Sequence, residues 1–174
     1  AAAALWCADA RWGAPGGPPS GGVKGCGAGD VHVAFHRRAG AAASGSGQAV
    51  KQARDDFSGV TRFVSALIPV NECLTRVAID VSNRPYLIWK VKIPKPKLGE
   101  MDTELFKEWF QAFAQHAAIC LHIENLYADN SHHIVESCFK GTARALRQAI
   151  APDERLDGGV ASPKGTLGNK NDDV

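Results

Sequence analysis

Apolar positions recur with two different periods along this chain, and both become sustained only from Gly47 onward, continuing to about Ile150. Leu67 to Val81 alternates apolar and polar side chains. Tyr86 to Ile93 does the same, with Trp89, Val91 and Ile93 facing one way and Lys90 and Lys92 the other. Because neighbouring strand residues point to opposite faces, both stretches are predicted as half-buried antiparallel strands. Pro94 and Pro96 end the second one. Asp102 or Thr103 then stands where a side-chain oxygen can accept the free amide hydrogens of a helix start. Phe106, Trp109, Phe110, Phe113 and Ala117 follow at spacings of three and four, a single apolar stripe that belongs to a core and not to a cofactor box. Ile119 to Leu126 is predicted as a short strand and Ala128 to Ser131 as a polar turn. His132 to Ile150 is predicted as a second long helix, its inner side carrying Val135, Cys138, Phe139, Thr142 and Leu146. Gln48 to Phe57 is predicted as a short helix closed by Ser58-Gly59. The order β-β-α-β-α, without long crossovers, predicts an α+β fold of helices packed on a small, mainly antiparallel sheet.

Residues 1–46 read differently. Half of them are Gly or Ala, interrupted by Pro15, Pro18 and Pro19, and such a stretch buries too little surface to offset its ordering entropy. The predicted organisation is therefore a Gly/Ala-rich segment over 1–46, a folded domain over 47–168 and a polar tail over 169–174. A net charge of +2 at pH 7 from 20 basic and 18 acidic side chains points to neither a nucleic-acid nor a membrane-surface partner, so an anionic ligand must be caught by a local cluster. No apolar run is long enough for a membrane span or a secretory signal. Five cysteines form no C-x-x-C pair, and Cys73, Cys120 and Cys138 lie within apolar periodic segments. They are expected to be reduced, mostly buried thiols of a cytoplasmic protein.

The most informative short stretch is Ser131-His132-His133-Ile134-Val135-Glu136. On a helix, His132 and Glu136 are one turn apart, and His133 and Glu136 are also neighbours. Neutral imidazoles and a carboxylate are ligands for a borderline or hard divalent metal. The positive end of the helix dipole disfavours protonating histidines in the first turn, which keeps them neutral. Two adjacent histidines point about 100° apart, which suits two metals better than one. The same residues also make an ordinary polar helix start, and spacing alone leaves both readings open. His122 offers a third imidazole if the turn at 128–131 folds its strand beside the helix start. Lys140 continues the face of His132 and Glu136, one turn on. Arg62, Arg84, Ser162 and Lys164 each lie near a turn and could converge on a phosphate, although each by itself reads first as a solvated side chain and spacing does not decide their convergence.

Gly59-Val-Thr-Arg-Phe63, the run from Thr75 through Ser82-Asn-Arg-Pro-Tyr-Leu87, Met101-Asp-Thr-Glu-Leu105, Leu121-His122 and Asn130-Ser-His-His-Ile-Val-Glu136 follow one another in order. Phe139-Lys140, Ala143-Arg-Ala-Leu-Arg147 and Ser162-Pro-Lys-Gly165 continue them. On these residues rests a resemblance, over about 120 positions from Gly47 to Leu167, to imidazoleglycerol-phosphate dehydratase. It implies two similar α+β halves like the second domain of ribosomal protein S5, of which this chain would hold the second. It further implies shells of 24 subunits and two manganese ions per complete site. Residue by residue, it makes His122, His132, His133 and Glu136 manganese ligands, and gives Glu136 and Lys140 catalytic roles. Arg62, Arg84, Ser162 and Lys164, with Lys140, would bind the substrate. The implied reaction dehydrates imidazole glycerol phosphate to imidazole acetol phosphate in histidine biosynthesis. In the implied reaction no carbonyl acidifies the C2 proton, and an imidazolate held by metal can instead expel the neighbouring hydroxyl and so make loss of that proton feasible.

Residues 1–46 lack the second copy of the metal motif that the resemblance leads one to expect. His36-Arg37-Arg38 stands in its place with one imidazole and no following carboxylate, as at a misread or truncated gene start. The alternative expectation is an inactive half-domain that keeps weak divalent-metal binding and associates with itself through an uncovered apolar face. A metal-dependent peptidase or nuclease is the weaker third reading, since peptidase zinc helices space two histidines four apart with Glu after the first, whereas these histidines are adjacent.

Overall fold

The computed structural model describes residues 31–53, 58–156 and 159–162. Its elements are α1 (Val31–Ala53), β1 (Phe63–Val70), β2 (Cys73–Asp80), β3 (Tyr86–Lys90), β4 (Lys97–Leu98), β5 (Met101–Asp102), α2 (Glu104–Ala117), β6 (Cys120–Tyr127) and α3 (Ser131–Ala149), with a 3-10 turn at Glu154–Leu156. One sheet has the order β1-β2-β6-β3, and β4 and β5 form a separate ribbon. β1 with β2 and β2 with β6 are antiparallel, whereas β3 runs parallel to β6. The fold is α+β, as the periodicity predicts. Among the described residues, no helix is long and apolar enough to cross a membrane.

Three local expectations need correction. Leu67 to Val81 is not one strand: the pattern continues through a hairpin whose turn holds Asn71 at φ 49, a left-handed conformation that asparagine tolerates. The strand at Tyr86 is parallel and not antiparallel, because α2 forms the crossover that brings the chain back in the same direction as β6. Thr103 precedes α2 without capping it through its side chain. Its hydroxyl instead donates toward the carbonyls of Lys95 and Pro96, at 3.0 and 3.1 Å, and so fastens the proline segment.

The core lies between one sheet face and the helices. Thr75, Val77 and Ile79 of β2 and Leu121 and Ile123 of β6 point inward, while Arg76 and His122 point out. The α2 stripe is buried as expected, and Trp109 stacks on Phe113 with ring centroids 5.3 Å apart and meets Phe139 of α3 edge-on at 4.8 Å. Such large rings supply much of the buried apolar area. Gly141 lets α3 sit close to β2, since a Cβ there would lie 2.6 Å from a methyl of Val77.

The helix expected at Gln48 to Phe57 begins far earlier, at Val31, so residues 31–46 are helical where the composition predicts an unordered stretch. Hydrophobicity is the wrong measure here, because size decides the packing. Ala43 and Gly47 are buried against α2, and a Cβ on Gly47 would come within 2.8 Å of the Phe113 carbonyl and the Ala117 nitrogen. Small side chains one turn apart allow the two helices to touch nearly backbone to backbone.

Candidate functional site

The start of α3 is built by its cap. Asn130 is extended, and its side-chain oxygen accepts the His132 amide hydrogen at 2.8 Å, satisfying a donor that the helix leaves unpaired. Ser131, Ile134, Val135 and Cys138 are buried, which turns His132, Glu136 and Lys140 outward. His132 Nε2 is 3.6 Å from Glu136 Oε2, and Lys140 Nζ donates to Glu136 Oε1 at 2.8 Å. That ammonium, with help from the nearby imidazoles, holds the Glu136 carboxyl below the usual carboxylate range. The carboxylate is thus the anion that permits a lysine to stand beside two candidate metal ligands. The rings of His132 and His133 lie 6.2 Å apart at 72°, so the two imidazoles diverge as helix geometry requires.

His133 meets a residue that periodicity did not single out. Glu72, in the β1–β2 turn, accepts at 2.8 Å from His133 Nδ1 through Oε2, and its Oε1 accepts the Asn130 amide hydrogen at 3.0 Å. Its own backbone amide and His133 lower its carboxyl. No local pattern reveals this contact, because the hairpin register alone brings a turn glutamate to the foot of a helix far along the chain.

The donor types at this helix start, imidazole nitrogen and carboxylate oxygen, suit a borderline or hard divalent cation. Their number falls short of a shell: among the described residues, no group of three or more His, Cys, Asp or Glu side chains is placed to hold an ion. His122 does not join them. Strand alternation buries Leu121 and Ile123 beneath the helices and sends His122 to the opposite face, between Ala78 and Ile88 in register. There it lies in a shallow depression of about 260 Å³ with Arg76, Lys90 and Glu124, its Nε2 3.4 Å from Cys120 Sγ. The turn after β6 redirects the chain but cannot change which face a strand residue occupies. His116 is occupied by the Ala112 carbonyl at 2.8 Å, and His36 on α1 by Glu108 at 3.0 Å.

The candidate phosphate residues gather at the other end of α3. The Arg62 amide, at φ 70, donates to the Ala149 carbonyl at 2.9 Å. Its side chain is nearly buried; Nε donates to Asp80 Oδ1 at 2.8 Å and Nη1 to the carbonyl of Ala161. Arg84 approaches the other oxygen of Asp80 at 3.9 Å and is 72% exposed. Ser162 follows Ala161 directly, its amide donating to Val160 at 2.7 Å. Lys164 lies outside the described residues. Asp80 thus gathers Arg62, Arg84 and the 161–162 segment, whereas at 1.5 Å per residue His133 is about 24 Å away along the helix.

The family model for imidazoleglycerol-phosphate dehydratase matches residues 23–146, beginning upstream of Gly47 inside the Gly/Ala-rich segment. Imidazoleglycerol-phosphate dehydratase of Rhodopseudomonas palustris (strain TIE-1) is 56% identical over 140 residues, covering 80% of this chain and 71% of that protein. The protein of the same name from Nitrobacter hamburgensis is 54% identical over the same shares. Among solved structures, imidazoleglycerol-phosphate dehydratase of Staphylococcus aureus superposes with a TM-score of 0.66 at 34% identity, covering 68% of this chain and 69% of that one. The IGPD of Pyrococcus furiosus gives 0.67 at 34% identity, over 76% and 72%. Relatives more than half identical, a family match over most of the chain and a shared fold agree, and the chain belongs to the imidazoleglycerol-phosphate dehydratase family.

Proposed function

We propose that this chain is a manganese-dependent hydro-lyase of the cytoplasm that dehydrates imidazole glycerol phosphate to imidazole acetol phosphate in histidine biosynthesis. The observation that carries the reading is the cluster of His132, His133, Glu136 and Lys140 at one helix start, with the carboxylate ionised, His132 exposed and His133 held through Nδ1 by Glu72. His132, His133 and Glu136 would hold manganese, which supplies Lewis-acid polarisation of the substrate's imidazole and hydroxyl. Lys140 stands where its ammonium can meet the substrate hydroxyl while Glu136 neutralises it. Arg84, Ser162 and Lys164 would receive the phosphate, with Arg62 holding Asp80 and the carbonyl of Ala161 in place.

A three-carbon chain cannot bridge the length of α3. In this reading the phosphate end of one copy therefore faces the metal end of another, in a homo-oligomer whose family form has 24 subunits. Support comes from the outward sheet face, where Phe63, Leu67 and Tyr86 are each about 60% exposed and call for a covering surface. His122, on that same face, would act at such a contact and not with His133 of its own chain.

The short ligand count within one chain favours a second reading, a non-catalytic domain that binds a divalent ion weakly and self-associates. The test is dehydratase activity of this chain with imidazole glycerol phosphate and added manganese. Manganese-dependent turnover that His133→Ala abolishes supports the first reading. A folded, soluble sample without turnover supports the second.

A further inference from the structure

We propose that Glu72 is a positioning residue for His133, fixing the imidazole as the tautomer with its proton on Nδ1 and its lone pair on Nε2. The inference rests on the metal reading above and adds to it the atom through which His133 would bind.

The geometry comes from two strands and a cap. Glu72 sits in the β1–β2 turn behind Asn71, whose positive φ turns the chain there. One carboxylate oxygen accepts from His133 Nδ1 at 2.8 Å, and the other accepts the Asn130 amide hydrogen at 3.0 Å. The same carboxylate therefore locks a ring and the residue that caps its helix. An ionised carboxylate can only accept, so the nitrogen facing it must carry the hydrogen. A neutral imidazole has one N–H, which leaves Nε2 as its only lone pair. His133 is 22% exposed, so its ring is largely enclosed where Glu72 meets it. A carboxylate that holds a histidine in this way orients the ring and raises its basicity, and loss of such a partner typically weakens metal affinity about 10- to 100-fold. His132 Nε2 lies 3.6 Å from Glu136 of its own helix, beyond hydrogen-bond distance, so among the described residues the two adjacent histidines differ in how they are held.

The test reads the tautomer directly, by nitrogen-15 NMR of the His133 ring in the metal-free chain, so it does not depend on manganese binding or on turnover. In the wild-type chain at a pH where His133 is neutral, Nδ1 should carry the hydrogen. Glu72→Gln can donate to Nδ1 and should shift the population toward Nε2–H. Glu72→Asp keeps a carboxylate and should largely restore the wild-type pattern. Manganese titration, followed by electron paramagnetic resonance, should show about a 10-fold or greater loss of affinity in Glu72→Gln and partial recovery in Glu72→Asp. A wild-type ring protonated on Nε2 would overturn the assignment, as would a tautomer that Glu72→Gln leaves unchanged. A preset Nδ1–H tautomer in a chain that binds no manganese would uphold the Glu72 assignment and defeat the metal reading instead.

Discussion

Arg62 Nε and Asp80 Oδ1 meet at 2.8 Å where the start of β1 crosses the end of β2, and the arginine is buried while holding a left-handed backbone. The pair joins β1, β2, the C-terminal end of α3 and the 159–162 segment at one point. Among the described residues, removing the guanidinium leaves the Asp80 carboxylate with only the distant Arg84. Arg62→Ala is therefore expected to cost about 2–3 kcal/mol, below the usual loss for a fully buried pair because Asp80 is 22% exposed. Arg84→Ala, at an exposed residue, should cost under about 1 kcal/mol. Urea unfolding of the two variants measures the difference.

The close crossing of α1 and α2 predicts opposite outcomes at two glycines of one helix. Gly40 has open space around its Cβ position, so Gly40→Ala should stabilise α1 by up to about 1 kcal/mol through helix propensity. At Gly47 the added methyl meets backbone atoms at 2.8 Å, and those cannot rotate away. Gly47→Ala should lose about 1–3 kcal/mol to the forced separation, outweighing the same propensity gain. Thermal unfolding distinguishes them by sign alone.

Glu136 ties the candidate site to pH. Its folded pKa lies below the ordinary 4.5, chiefly because Lys140 donates to it. A depressed carboxyl contributes stability that is fully present above the unfolded value and is lost as pH falls through the folded one. Half-exposed Lys140 limits the contribution to about 0.5 kcal/mol. Lys140→Met should therefore lower stability at neutral pH and leave it nearly unchanged below the carboxylate range. Denaturant titrations at the two pH values test this, and equal losses at both would contradict it.

The parts legible in the sequence were those written in one element. The α2 stripe from Phe106 to Ala117 and the inner side of α3 follow from spacing, and so does the adjacency of His132, Glu136 and Lys140. What escaped depends on pairs remote in the chain. The Asn71 turn is hidden because alternation continues through it, and the direction of β3 follows from the α2 crossover. Glu72 reaches His133 only through the hairpin register, and α1 extends to Val31 because packing against α2 rewards small side chains that a hydrophobicity pattern does not count. His122 illustrates the opposite limit. Its residue type suits a ligand, but strand alternation places it on the wrong face to join α3.

The proposed function has the metal end and the phosphate end of α3 working together only between copies. Its most direct test mixes two variants, His133→Ala and Arg84→Ala, each expected to be inactive alone with imidazole glycerol phosphate and manganese. Co-assembled in equal amounts, they should regain about a quarter of wild-type activity, because random pairing leaves that share of shared sites intact. An active wild-type chain whose mixed variants stay as inactive as each alone would place the whole site within one chain and contradict the account.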